Sequence, residues 1–445
     1  MGRRVTCRSA GRGSTDSGRA RSVIPVSVTR RQAVAGALAS VLSGTLPGCA
    51  GGGARDPDAL RFWAMGYEGD YSPHLMPAFT AATGVHVEVQ SLPWTAAHEK
   101  LLTAFAGDAL PDAMMLPNGW VAEFAMIGAV TPADDPGLAA DMFPGVLETV
   151  SYGGRPYAVP WSVAPQMQFF RRDLLADVGY DEPPGDWGAW QDMGLKLKRR
   201  RPDSYAVLLY LNWPDALLTF AGQTGARPLR DHDTRGNFSS PEFREALAFY
   251  QSLFDLGLAP VALSTAIQDP LGAFAQGLFA IYPSGPALLL DLRRRAAEIP
   301  RDRWDVRRLP GPGGPGQASG VSGALAVSSR TRRPELARAL VRHLSSAHSE
   351  VRVQYLIGNL PARRSAWNDP RMADPVLRPF AEQMRAPAGA PNIVEWERIR
   401  AEVQLSAERV VRGLLTLDEG LADMDRRADR VLARRRALVN EGKIA

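Results

Sequence analysis

The sequence predicts an α/β protein built from two lobes. Strand-like and helix-like patterns alternate along most of the chain, which favours strands paired in a sheet with helices packed on its faces. The chain has 445 residues, whereas a single hydrophobic core stops growing at about 250–300 residues. Two lobes are therefore expected.

The first 48 residues predict an export signal. Arg30 and Arg31 precede an apolar run, Ala33 to Leu46, of 14 residues, which is shorter than the roughly 20 residues of a membrane-spanning helix. The segment that follows, Leu46-Pro47-Gly48-Cys49, resembles a bacterial lipobox. We predict that Cys49 carries lipid, that residues 49–57 form a linker, and that the protein works outside the cytoplasm at a membrane. Export by the Sec or the twin-arginine route stays open.

The cysteine and charge counts exclude several classes of site. The two cysteines are Cys7 and Cys49, so the mature body has no thiols for a disulfide framework or a cysteine metal site. The net charge is +5, but residues 1–48 contain eight arginines and one acid, which leaves 44 basic and 46 acidic side chains beyond them. Because the basic excess belongs to the leader, we expect no nucleic-acid partner.

The elements of the first part follow from residue periodicity. Residues 85–89 alternate between apolar and polar, as a half-buried strand does. Gly84 and Gly107 are placed to end helices, and Gly66 and Gly69 indicate a loop after the first strand. The predicted strands are 59–65, 85–89 and 112–116, and the predicted helices are 75–83, 94–106 and 121–127.

The later part of the chain predicts further helices. Ser239 and Ser240 are available to cap a helix that begins at Pro241. The predicted helices are 241–258, 334–345 and a charged amphipathic group between 393 and 439, and residues 310–320 predict a loop rich in glycine and proline.

A series of short motifs occurs in a fixed order along the body. They include residues 83–87 (TGVHV), 107–112 (GDALPD), 154–161 (GRPYAVPW), 274–280 (FAQGLFA) and 358–362 (GNLPA). This order is similar to that of the family 1 extracellular solute-binding proteins, the carbohydrate-binding components of bacterial ABC importers. The resemblance spans roughly residues 60–432.

The resemblance implies two α/β lobes of the periplasmic-binding-protein type, joined by a hinge, with a ligand cleft between them. We assign residues 58–163 plus 275–322 to the N-terminal lobe and residues 164–274 plus 323–445 to the C-terminal lobe. The partners that it implies are a carbohydrate and the permease subunits of an ABC importer. The protein is expected to be a monomer without a cofactor or a bound metal, and not an enzyme.

Sugar binding requires flat aromatic rings against the apolar C–H faces of the sugar. Aromatic side chains bury a large area with few rotatable bonds, so they anchor a ligand at low entropic cost. The tryptophans that lie in predicted loops or at strand ends are candidates for stacking: Trp94, Trp120, Trp161 and Trp213.

The hydroxyl groups of a sugar require side chains that donate and accept hydrogen bonds. The resemblance points to Glu68, Asn118 and Arg363, and to loops at Ser284-Gly285 and Ser322-Gly323. Many relatives have a tryptophan close to Gly285, where this chain has Pro286-Ala287-Leu288. That departure favours a different or smaller ligand.

Enzymatic motifs do not fit this chain. Residues 311–316 match G-x-G-x-x-G in letters only, without the strand and helix that a nucleotide site needs, and the six histidines have no metal-binding spacing. The predicted ligand is a mono- or disaccharide, with maltose and trehalose as examples. Two alternatives stay open: a lipid-anchored carbohydrate-active enzyme, since two carboxylates suffice for glycoside hydrolysis, and the same fold with a non-sugar ligand such as glycerol phosphate.

Overall fold

The computed structural model describes residues 56, 58–143, 146–318, 320–384 and 391–443, without the side chains of residues 136, 138, 139 and 320–322. The predicted export signal, Cys49 and most of the predicted linker lie outside the described residues. Within these ranges, no helix combines the length and the apolar character that crossing a bilayer requires.

Strands and helices alternate along much of the described chain. The strands are β1 (Leu60–Met65), β2 (Val87–Leu92), β3 (Ala113–Pro117), β4 (Ser151–Tyr152), β5 (Arg155–Pro156), β6 (Val159–Pro165), β7 (Met167–Arg171), β8 (Tyr205–Val207), β9 (Leu229–Arg230), β10 (Arg235–Gly236), β11 (Phe279–Ser284), β12 (Trp304–Arg307), β13 (Pro310–Gly311), β14 (Gly314–Pro315), β15 (Gly320–Val327) and β16 (Leu360–Pro361). The helices are α1 (Gly66–Tyr71), α2 (Met76–Thr83), α3 (Trp94–Ala106), α4 (Asn118–Met126), α5 (Pro136–Asp141), α6 (Arg172–Ala176), α7 (Trp187–Arg200), α8 (Asp215–Gln223), α9 (Pro241–Asp255), α10 (Pro270–Gln276), α11 (Leu288–Arg294), α12 (Pro334–Leu344), α13 (Ala347–Ile357), α14 (Arg378–Gln383), α15 (Trp396–Val411), α16 (Leu417–Val431) and α17 (Ala433–Asn440).

The first lobe is built on a mixed sheet with the strand order β16-β6-β15-β3-β1-β2. β1 is parallel to β2 and β3, and β15 is antiparallel to both β3 and β6. β6 therefore runs in the same direction as β3. The carboxyl ends of β1, β2, β3 and β6 meet at one edge, and β15 begins there.

The second lobe is built on a sheet with the strand order β12-β7-β11-β8. β7 begins two residues after β6 ends, β11 and β12 are antiparallel to β7, and β8 is parallel to β11. The ends of β8, β11 and β12 consequently lie at the edge where β7 begins. Both sheets turn these edges toward the short crossing at residues 165–167, which is where open α/β sheets bind ligands.

The apolar core follows this division only in part, because the cluster that contains residues of the first sheet also includes Phe169 and Trp304 of the second sheet. Phe62 and Val163 of the first sheet are buried in a cluster with Leu340 of α12. In the second lobe, Ile281 is buried in a cluster with Ile399 of α15 and Met424 of α16. The C-terminal helices therefore belong to the second lobe, whereas α12 and α13 contact β15 and β16 of the first.

The helix ends follow the predicted local rules. The side chain of Ser240 accepts a hydrogen bond from the backbone N–H of Phe243 at the start of α9. Gly84 ends α2 with φ +74°, a conformation that other residues adopt only under strain. One local prediction was wrong: Gly66 and Gly69 do not lie in a loop, because α1 begins directly after β1.

The strand pairing differs from the predicted division into lobes. Residues 275–322 were assigned to the N-terminal lobe, but β11 and β12 pair with β7 in the second sheet. Residues 323–445 were assigned to the C-terminal lobe, but most of β15 and all of β16 lie in the first sheet. The motifs predict a strand at each place, but its partner strand lies more than 100 residues away, so local sequence does not identify the sheet.

Candidate ligand-binding cleft

Aromatic side chains follow the strands at the edge of the first sheet. Tyr67 lies just after β1 and is 54% exposed, and Trp94 lies just after β2 and is 46% exposed. Trp120 follows β3 in the first turn of α4 and is half-buried. Tyr67 and Trp94 thus present open ring surface at one edge, which is the arrangement that stacking on a sugar requires. Tyr67 was missed by the sequence analysis.

The position of the Trp94 ring depends on Gly66. Gly66 has φ +51°, and a Cβ atom at this residue would lie 2.3 Å from Nε1 of Trp94. Since real Cβ atoms do not approach so closely, the indole rests on backbone that only glycine leaves open. Gly66 therefore positions the ring of Trp94 beside the start of α1.

Glu68 lies behind these rings and is 7% exposed. Its Oε1 accepts a hydrogen bond of 2.7 Å from Nδ2 of Asn359, in the loop between α13 and β16. Burial raises the pKa of Glu68 above its ordinary value, and this hydrogen bond opposes the rise only in part. A cavity of about 10 Å³ lies beside Glu68 and Trp161, which is room for about one water molecule.

The start of α4 carries the polar group predicted after β3. Asn118 donates a hydrogen bond from Nδ2 to Oγ1 of Thr149, and its Oδ1 is buried without a partner in the described structure. Trp120 packs edge-on against the ring of His98 at 4.7 Å, and His98 is held by Glu123 at 2.6 Å. Asn118 therefore keeps one acceptor free at the strand edge.

Trp161 is a core residue. Its side chain is 1% exposed, its Nε1 donates a hydrogen bond of 2.9 Å to the carbonyl of Leu344, and its ring packs edge-on against Phe62 at 6.4 Å. This burial argues against the predicted stacking of Trp161 on a ligand. The reason is that β6 lies inside the sheet, between β16 and β15, and Trp161 contacts Leu344 at the end of α12.

Arg363 also has a role inside the first lobe. Its guanidinium donates to Oδ2 of Asp141 at 3.2 Å and to the carbonyl of Ser345, and its side chain is 15% exposed. β16 is antiparallel to β6, so the chain runs away from the cleft edge before it reaches Arg363. These contacts within the first lobe argue against the predicted contact between Arg363 and the ligand.

The second lobe presents its own aromatic residue at the facing edge. Trp213 follows β8, is 45% exposed, and packs edge-on against Tyr210 at 4.9 Å. Burial raises the pKa of the Tyr210 hydroxyl. Trp213 thus presents an exposed ring on this side of the cleft.

The remaining predicted residues lie at the crossing between the sheets. Ser284 ends β11, and a Cβ atom at Gly285 would lie 3.8 Å from Cβ of Ala164. Ser322 pairs with Val163 through its backbone, and Gly323 pairs with Ser162 beside the side chain of Met115. These residues therefore form the base of the cleft.

Three charged residues missed by the sequence analysis lie together in the second lobe. Nη1 of Arg400 donates to both carboxylate oxygens of Glu397, at 2.9 and 3.1 Å, and Nη2 donates to Oδ1 of Asp215 at 2.5 Å. Asp215 begins α8 directly after Trp213 and Pro214. No sequence motif marks these residues, because Asp215 and Arg400 are separated by 185 positions.

A larger cavity lies elsewhere. It has a volume of about 360 Å³ and is lined by Thr131–Asp135, Val159, Val327 and the arginines of α12. Val159 begins β6 and Val327 ends β15, so this cavity lies at the edge of the first sheet that faces away from the second lobe. It is separate from the cleft.

Comparison with known proteins identifies the family. A family model described as bacterial extracellular solute-binding protein matches residues 67–350. This chain belongs to that family. The predicted family and the two-lobe α/β fold of the periplasmic-binding-protein type are thereby confirmed.

Relatives of this solute-binding protein include proteins of known ligand class. The solved structure of the sugar-binding protein MalE from Xanthomonas citri has a TM-score of 0.82 and 38% identity, over 86% of this chain and 99% of that chain. A binding protein of Brucella abortus is 24% identical over 375 residues, which cover 82% of this chain and 90% of that protein. A mannitol-binding protein of Pseudomonas aeruginosa is 28% identical over 173 residues, 37% of this chain and 38% of that protein.

Proposed function

We propose that this protein binds a mono- or disaccharide outside the cytoplasm and delivers it to an ABC importer. The observation that carries the proposal is the set of exposed aromatic rings that follow strands at the two cleft edges, Trp94 with Tyr67 on the first lobe and Trp213 on the second. The rings lie beside carboxylate and amide oxygens that accept hydrogen bonds from hydroxyl groups. The sugar-binding relative from Xanthomonas citri supports the same ligand class.

Closure of the two lobes on the sugar is the mechanism that fits this arrangement. The crossing at residues 165–167 is short, and rotation about it brings the facing rings together and removes water from the sugar. The closed form then differs in shape from the open form. We infer that the permease subunits of the importer recognise this difference, that the protein acts as a monomer, and that lipid on Cys49 keeps it near the membrane.

A panel of ligands tests the ligand class. The purified protein is heated with maltose, trehalose, glucose, mannitol, glycerol 3-phosphate and spermidine, because a ligand that binds only the native state raises the unfolding temperature. We expect a rise with one or more of the neutral sugars or polyols. A rise with glycerol 3-phosphate or spermidine alone would overturn the proposal.

Two further measurements test the remaining parts. Chromatography of the bound sugar after prolonged incubation should return it unchanged, whereas cleaved products would indicate a carbohydrate-active enzyme. Mass analysis of the mature N-terminus should find a diacylglyceryl group on Cys49, and an unmodified N-terminus would contradict the anchor.

A further inference from the structure

Glu397 of the second lobe lies against a helix of the first lobe. Trp396 and Ile399, its neighbours on α15, are buried in the core of the second lobe, which anchors this part of the helix. The Glu397 side chain itself is 49% exposed. A Cβ atom at Gly119 of α4, in the first lobe, would lie 3.1 Å from its Oε1. The carboxylate of one lobe thus lies against the first turn of a helix in the other.

Two residues of the second lobe hold this carboxylate in place. Arg400 binds both oxygens of Glu397 through Nη1 and binds Asp215 through Nη2, and its side chain is only 19% exposed. The planar guanidinium fixes the direction in which Glu397 points. Since Asp215 begins α8 next to the exposed Trp213, the three charged groups lie between the start of α4 and the start of α8.

The start of α4 beside Glu397 carries a second polar group. Asn118, next to Gly119, has a buried Oδ1 without a partner in the part of the chain that the structure describes. An ionised carboxylate accepts several hydrogen bonds, so the exposed Glu397 can accept donors from a ligand in addition to Arg400. Trp213, two residues before Asp215 in the chain, has an exposed ring.

We propose that Glu397 contacts the ligand directly and accepts hydrogen bonds from sugar hydroxyls, with Arg400 and Asp215 as positioning residues. This inference rests on the proposed sugar-binding function and deepens it. Arg400 is already shared by two carboxylates, so this group holds a net negative charge and repels an anionic ligand. The site therefore selects neutral sugars and rejects sugar phosphates.

Substitution of Glu397 tests the contact. Glu397→Gln keeps the size of the side chain and removes its charge, and we expect the neutral sugar that stabilises the wild type most to bind at least about tenfold more weakly, because hydrogen bonds to charged groups are the stronger ones. Glu408→Gln is the matched control, since Glu408 lies on the same helix and pairs with Arg412 at 2.8 Å. Calorimetry should give the control the affinity of the wild type.

Gly119→Ala is a second and independent variant. Alanine is compatible with helical backbone, so unfolding should occur at no lower temperature than in the wild type. Its methyl group meets Oε1 of Glu397 and displaces it, so we expect affinity to fall at least threefold. If Glu397→Gln failed to fold, Gly119→Ala would still decide the proposal, and unchanged affinity would overturn it.

A double-mutant cycle separates positioning from simple structural support. Asp215→Asn should weaken binding in the wild type but cause no further loss in the Glu397→Gln background. Equal losses in both backgrounds would contradict the positioning role.

The selection against anionic ligands is measured by comparing the affinities for trehalose and trehalose 6-phosphate. The preference of the wild type for the neutral sugar should shrink in Glu397→Gln.

The outcomes distinguish this inference from the function on which it rests. If the wild type binds a neutral sugar and Glu397→Gln binds it equally well, Glu397 is not a ligand contact and only this inference fails. If the wild type binds none of the sugars or polyols in the panel, the proposed function fails together with the inference.

Discussion

Nδ2 of Asn359 donates a hydrogen bond of 2.7 Å to Oε1 of Glu68, which joins the helix after β1 to the loop before β16. Glu68 is 7% exposed, and burial raises its pKa. A carboxyl group whose pKa is raised by folding stabilises the native state most at low pH, and this contribution is lost as the pH rises through the native pKa. Ionisation of Glu68 therefore lowers the stability of the native state at neutral pH.

We expect Glu68→Gln to unfold at a higher temperature than the wild type at pH 7.5. Glutamine retains the acceptor for Asn359 without the buried charge, and the difference should shrink as the pH falls, because the raised pKa of Glu68 favours its protonated form in the folded wild type. Thermal unfolding followed by circular dichroism across this range measures it. A lower unfolding temperature of the variant at pH 7.5 would contradict the prediction.

Glu419 provides a control, because its substitution should change the unfolding temperature at pH 7.5 in the opposite direction. Its carboxylate accepts a hydrogen bond from the backbone N–H of Thr416 in a capping box, which lowers the pKa of Glu419. Its stabilising contribution is present above the unfolded pKa and is lost as the pH falls. Glu419→Gln should therefore lower the unfolding temperature at pH 7.5 and have little effect at low pH.

Trp161→Ala should reduce the free energy of unfolding by about 3–5 kcal/mol, because it removes a large side chain from a closed core. Trp161 is 1% exposed, whereas Trp213 is 45% exposed, so Trp213→Ala should change stability by only about 0.5 kcal/mol. Urea titration of both variants tests the contrast. Equal stability of the two variants would show that Trp161 is not a core residue.

Gly66→Ala should weaken sugar binding more than the control Gly84→Ala does, although both substitutions strain the backbone. Alanine at φ +51° is strained, and its methyl group also meets the indole of Trp94. Gly84→Ala is the matched control, since Gly84 has φ +74° with nothing within 4 Å of the added atom. Both variants should lose about 1–2 kcal/mol of stability.

Affinity and fluorescence distinguish these two glycine variants. Only Gly66→Ala should shift the emission of Trp94 and lower the affinity for sugar. If both variants bound sugar like the wild type, Trp94 would not need the support of Gly66.

Arg363→Met should lower stability and leave sugar affinity within about twofold of the wild type. Its guanidinium binds Asp141 and the carbonyl of Ser345, and a lost hydrogen bond to a charged partner costs about 1.5–3 kcal/mol. Calorimetry and urea titration on the same preparation test both parts. A loss of affinity at unchanged stability would indicate that Arg363 contacts the ligand.

Local sequence was sufficient for most elements of the fold. The helix predicted at 94–106 is observed with the same bounds, and Gly84 and Ser240 have the predicted roles at helix ends. These features depend on a few neighbouring residues: the spacing of apolar positions, a glycine that adopts positive φ, and a hydroxyl that caps a helix.

Features that depend on distant parts of the chain could not be predicted in this way. Trp161 and Trp213 both follow or lie within strands, yet only the packing of α12 against β6 decides that the first is buried. The partner of Arg363 lies 222 positions away, and Glu397 gains its position from Gly119 and Asp215. Burial, ion pairing and sheet membership are properties of the assembled lobes.

The most direct test of the central claim is calorimetric titration of the wild type, Trp94→Ala and Trp213→Ala with the sugar that stabilises the protein most. If the ligand lies between the two lobes, each variant loses one stacking surface, and we expect each to bind at least about tenfold more weakly than the wild type. Wild-type affinity in both variants would contradict a sugar site between Trp94 and Trp213.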